Sequence, residues 1–101
     1  MQTEKMIIVN EFCVHHNIEF SFISALQQSG LIEITQAEEK WYVQESQLPQ
    51  LEKMVRLYYE MDINLEGIET ITYLLSRMNE MQHDIMQLKN RLGIYEEDKQ
   101  A

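Results

Sequence analysis

Apolar residues in this chain change their rhythm several times, and each change marks an element. Met6-Ile7-Ile8-Val9 is a short β-branched run that predicts a brief strand. Asn10 can cap a helix over 11–16, with Glu11 suiting the positive end of its dipole and Asn17 as its stop. A second helix is predicted from about Glu19 to Ser29. Phe22, Ile23 and Leu26 fall on one face, and Gly30 stands where a left-handed cap belongs. The rhythm then shifts toward alternation. Leu31–Thr35 and Lys40–Val43 predict two strands joined by the short link Gln36-Ala37-Glu38-Glu39, a hairpin without an Asn-Gly turn. A third helix carries Leu48, Leu51, Met54 or Val55, and Tyr58 on its apolar face and ends near Met61-Asp62. Pro49 is tolerable in its first turn.

The last pattern is the most regular. After a cap at Asn64, Ile71, Leu74, Met78, Met81, Ile85, Leu88 and Leu92 recur at alternating spacings of three and four, a sustained heptad seam. A helix of about thirty residues reaches roughly 45 Å. Ile68, Ile71 and Leu75 suit packing on their own domain. Beyond Met81 too little chain remains to cover the seam. Met78, Met81, Ile85, Leu88 and Leu92 are therefore the candidate dimerisation residues, and a second copy is the simplest partner. Parallel and antiparallel pairing both fit. The organisation predicted is a winged helix-turn-helix-like domain over 1–62, a long C-terminal coiled-coil helix over 63–95 and a flexible tail over 96–101. The fold class is mainly α, with a small β-hairpin wing. The predicted core includes Phe12, Phe22, Leu26, Ile32, Trp41, Leu51, Leu57 and Ile71.

Charge complicates that layout. A helix-turn-helix with a wing is a shape suited to holding DNA, and DNA binding draws on Lys and Arg that neutralise phosphates. Between Met1 and Glu39 the only basic residue is Lys5, against six glutamates. The whole chain of 101 residues carries 17 acids and 8 bases, a net charge of −9. That disfavours nucleic acid and anionic membranes as partners and favours a basic protein surface, or simply solubility. One cysteine, Cys13, fits a reducing compartment, and no apolar run approaches a membrane span, so a soluble cytoplasmic protein is expected.

Candidate chemistry is sparse. Cys13 and His16 share a helix face, but two ligands do not make a zinc site, and a nucleophile pair here lacks an orienting group. A buried thiol beside surface histidines is the plainer reading. No phosphate loop or nucleophile elbow is recognisable, so no enzyme, cofactor or metal is expected. Glu38-Glu39 reads as a solvated hairpin tip. Glu60, Asp62, Glu66 and Glu69 are more suggestive, because no Lys or Arg lies between Arg56 and Arg77. They form either a solvated face or an acidic docking patch for a basic helix, with Tyr59 beside them as an interface aromatic. Tyr58 is the aromatic expected in the core.

Several segments in order carry a resemblance. They are Asn10-Glu11-Phe12-Cys13, Gly30-Leu31-Ile32-Glu33, Trp41-Tyr42-Val43, Val55-Arg56-Leu57, Gly67-Ile68 and the ending Asn90-Arg91-Leu92. From about Ile7 to Leu92 the chain resembles the chaperone modulator CbpM family, similar in fold to MerR-type winged helix-turn-helix regulators. The resemblance implies a non-enzymatic module that binds the J-domain of a DnaJ-type, CbpA-like co-chaperone. It would inhibit that co-chaperone by competing with Hsp70 for a basic helix. Glu60, Asp62, Glu66, Glu69 and Tyr59 are candidate contacts on charge pattern alone. The alternative is a MerR-like DNA-binding transcriptional regulator. DNA-binding MerR proteins typically present Arg and Tyr on the second helix before the Gly-Leu pair, where this chain has Ser24, Ala25 and Leu26.

Overall fold

A computed structural model describes the backbone of residues 5–100 and the side chains of residues 5–93. In chain order the elements are β1 (Met6–Ile8), α1 (Val9–His16), α2 (Phe20–Gln28), β2 (Thr35–Ala37), β3 (Lys40–Gln44), a 3-10 turn at Glu45–Gln47, α3 (Leu48–Tyr59) and α4 (Leu65–Gln100). They form two units, one reaching Glu69 and one beginning at Thr70. The first includes the opening turns of α4, where Ile68 is fully buried.

The wing is part of a three-stranded antiparallel sheet with β3 in the centre. Ile7 pairs with Val43 on one side, and Gln36 pairs with Trp41 on the other. The β-branched start of the chain therefore closes the free edge that a lone hairpin would leave. The hairpin turns through Glu38 and Glu39, both at positive φ (53° and 65°), between the paired Ala37 and Lys40. That is the sign pattern of a type I′ turn, which Asn-Gly ordinarily supplies. Two glutamates take it at some conformational cost, and both side chains are exposed, as the sequence anticipates for a solvated tip.

The core gathers Val9, Phe12 and Cys13 from α1, Phe22, Ile23 and Leu26 from α2, and Leu51, Met54 and Val55 from α3, with Ile32, Val43 and Ile68. The spacing within each helix places these residues on one stripe. Asn17 ends α1 in the left-handed conformation, and the following amide, from Ile18, donates to the Cys13 carbonyl at 3.0 Å. Gly30 performs the same service after α2. At φ 77°, it lets Leu31 donate to the Leu26 carbonyl at 2.9 Å and its own amide to Gln27 at 3.1 Å, the paired bonds of a Schellman ending. At the start of α4, Asn64 Oδ1 accepts the Gly67 amide at 2.8 Å, the expected cap. A Cβ at Gly67 would lie 2.7 Å from the Ile63 side chain, so glycine is what lets the chain enter α4 so tightly.

Several boundaries differ from the sequence-based expectation. Helix α1 begins at Val9, with Ile8 rather than Asn10 at its cap and no side-chain capping bond. Burial of Val9 below Phe12 and Cys13 outweighs the capping preference of Asn10. Leu31–Ile34 is not strand. Ile32 drops into the core, and the Gln47 side-chain amide takes the place of a strand partner for Glu33, accepting its N–H at 2.8 Å and donating to its carbonyl at 3.0 Å. Helix α3 stops at Tyr59, before a left-handed Asp62 (φ 56°) that turns the chain toward α4. Trp41 and Leu57 only flank the core, and Ile71 is half-buried outside it. Trp41 is half-covered because its cross-strand neighbour lies in β2, an edge strand exposed throughout. Helix α4 runs for 36 residues to Gln100, past the end at 95 expected for it. The flexible tail expected over 96–101 falls on residues whose side chains, and for Ala101 the backbone, lie outside the described part.

Candidate partner-binding surface

Helix α2 occupies the position of a reading helix in a helix-turn-helix, and its outer face carries no charge. Phe20, Ser21, Gln27 and Gln28 are exposed there, while Phe22, Ile23 and Leu26 face the core. Glu19 precedes this helix, and the wing offers Glu38 and Glu39 against Lys40. A phosphate approaching this face would meet more carboxylates than cations, the wrong electrostatics for nucleic acid.

The acids singled out in the sequence lie around the link between α3 and α4. Glu60 and Asp62 sit in the link after α3, and Glu66 and Glu69 share one face of the first turns of α4, three residues apart. All four are exposed.

Tyr59, the interface aromatic expected from the sequence, is anchored within the fold. Its hydroxyl accepts the Glu19 backbone N–H at 3.0 Å, tying the end of α3 to the entry of α2. Its ring stands edge-on to Phe22 at 5.5 Å and to Tyr58 at 5.0 Å. Tyr58 lies against Phe22 at 4.4 Å, and both tyrosines remain 39% exposed, so the expected split into one core and one surface ring does not hold. The reason is that Phe22 fills the core position beneath them, leaving both rings as its outer cover. The resulting aromatic cleft, about 390 Å³, is also lined by Glu19, Ser21 and Leu65. Sequence reasoning missed Glu19 as a member of this site. A separation of forty positions from Tyr59 leaves no local signal of the contact.

On the far side of Tyr59 a second, more polar hollow is lined by His16, Glu52, Arg56 and Glu60. His16 Nε2 lies 3.9 Å from Glu52 Oε2, and its ring packs on Phe12 at 4.2 Å. Cys13 is a buried free thiol, and burial pushes its pKa up, which disfavours the thiolate that a nucleophile or metal ligand needs. Among the described residues no group of three or more metal-ligating side chains converges. Among the described residues no helix is long and apolar enough to cross a membrane.

The seam of α4 is uncovered. Leu74, Met78, Met81, Ile85, Leu88 and Leu92 are each about half exposed, while Met86 lies off the seam and is more exposed still. Arg77 and Glu80 pair along the helix at 3.4 Å.

A family model described as MerR HTH family regulatory protein matches residues 7–90. The chain belongs to that family. The match covers the helix-turn-helix, the wing and most of α4, in agreement with the mainly helical architecture. No curated protein and no solved structure matches it. Within a family of MerR-type regulators, this member carries a reading helix without a single cation.

Proposed function

We propose that this MerR-family chain is a non-enzymatic, cytoplasmic protein-interaction module that binds the J-domain of a DnaJ-type, CbpA-like co-chaperone. By covering the basic helix that J-domains use to engage Hsp70, it restrains the co-chaperone through competition. The observation that carries this reading is the charge layout. The outer face of α2 has no cation, whereas Glu60, Asp62, Glu66 and Glu69 present exposed carboxylates. Such a layout attracts a basic protein helix and repels a phosphate backbone.

The test is calorimetric titration of the full chain with an isolated J-domain, with Hsp70 ATPase stimulation as the functional readout. A saturable complex and suppressed stimulation are expected. Reversing Glu66 and Glu69 to Lys lowers the association rate about tenfold at low salt. An unchanged rate removes this patch from the interface, and no complex at all removes the reading.

Family membership favours a second reading, a DNA-binding transcriptional regulator. Specific retardation of a DNA duplex at physiological salt would place it first. Either role is compatible with a homodimer, which we propose forms through Met78, Met81, Ile85, Leu88 and Leu92. In water an uncovered apolar stripe of this length favours a second helix.

A further inference from the structure

We infer that the aromatic cleft between the start of α2 and the end of α3 receives an arginine side chain from a basic partner helix. This rests on the reading of the partner as a basic protein helix, and it names the contact that reading leaves open. Two tyrosine rings supported by the buried Phe22 form one wall. Tyr59 is held by the Glu19 amide at 3.0 Å, and Tyr58 packs on Phe22 at 4.4 Å. Glu19 is a carboxylate in the lining, and Ser21 Oγ donates to its Oε1 at 3.2 Å, which orients it. Leu65 supplies an apolar wall for an aliphatic stem.

Electron-rich ring faces beside an oriented carboxylate suit a planar guanidinium. It can stack on a tyrosine while its N–H groups reach an acid. A lysine ammonium has no flat face to stack, and an apolar guest would make no use of the Glu19 carboxylate. The cleft volume of about 390 Å³ admits a whole long side chain, not merely its tip. Glu60 and Asp62 follow Tyr59 within three residues in the chain, and their exposed carboxylates raise the local concentration of any cation. Tyr59 then positions the wall and Tyr58 is the ring on which the guest stacks.

The test uses a lysine-rich amphipathic helical peptide with one central arginine, and the same peptide with citrulline there. Citrulline keeps the shape and removes the charge. Titrated into the full chain and followed by NMR, the arginine peptide should bind about fivefold tighter, the size of one partly desolvated cation–π contact. The ring resonances of Tyr58 and Tyr59 should shift. Y58L should abolish the discrimination between the two peptides, and Y58F, which keeps the ring face, should retain it. Equal affinity for the two peptides, failure of both to bind, or shifts that spare the two rings would overturn the inference. A parallel titration with the J-domain separates the two claims. Discrimination without J-domain binding removes the co-chaperone and leaves the cleft, while J-domain binding without discrimination removes the cleft alone.

Discussion

Leu26 and Leu88 are the same side chain on helices of the same chain, yet Leu26 is fully buried and Leu88 is 55% exposed. Leu26 stands where α2 meets the rest of a closed core. Leu88 stands on a seam of equal regularity, but none of the side chains described beyond Ile68 reaches full burial. Periodicity therefore tells which face of a helix is apolar, and not what covers it. In the first unit the cover is the protein's own fold. In the unit beginning at Thr70 the described residues leave the stripe about half exposed, which is why the two regions should respond differently to the same kind of substitution.

The largest contrast is expected at Leu26. L26A leaves a cavity in a closed core and should lower unfolding free energy by about 3–4 kcal/mol, read from urea melts. A loss below about 1 kcal/mol would mean that the first unit is not packed as described. L88E should instead leave the fold of the first unit near the wild type. It should raise the dimer dissociation constant more than about a hundredfold, since two leucines leave apolar contact and two carboxylates enter it. Sedimentation equilibrium would show the shift from dimer to monomer, and an unchanged mass would break the proposed pairing.

Smaller effects probe how the units are built locally. N64A removes the acceptor of the Gly67 amide and should cost about 1 kcal/mol, with the loss visible as fraying at the start of α4 by amide exchange. The hairpin offers the opposite sign. Replacing Glu38 and Glu39 by Asn and Gly supplies residues that accept positive φ, and should stabilise the first unit by about 0.5–1 kcal/mol in the same melts. No gain would mean that the glutamates take this turn without strain.

Much of the fold was legible because local chemistry and global packing agree. Asn17, Gly30 and Asn64 mark helix ends by side-chain or backbone conformational preference, and the structure uses all three so. Where they compete, packing prevails. Asn10 loses its cap to the burial of Val9, and Leu31–Ile34 gives up strand for the descent of Ile32 and the Gln47 clasp on Glu33. The candidate site was legible in part. The exposed acids could be named from the absence of cations around them. The aromatic cleft could not, because Glu19, Phe22, Tyr58 and Tyr59 meet only after two helices close on each other.

The sequence by itself determined the order of elements, the acidity of the chain, the cation-free second helix and the heptad seam. These depend on residue type and spacing, which the chain carries before it folds. Tertiary structure decided that β1 completes the sheet, that Trp41 stays half-covered, and that Tyr59 spends its hydroxyl on the entry of α2. Those outcomes depend on which distant groups arrive together, and residues forty positions apart exchange no signal until the core that joins them has formed.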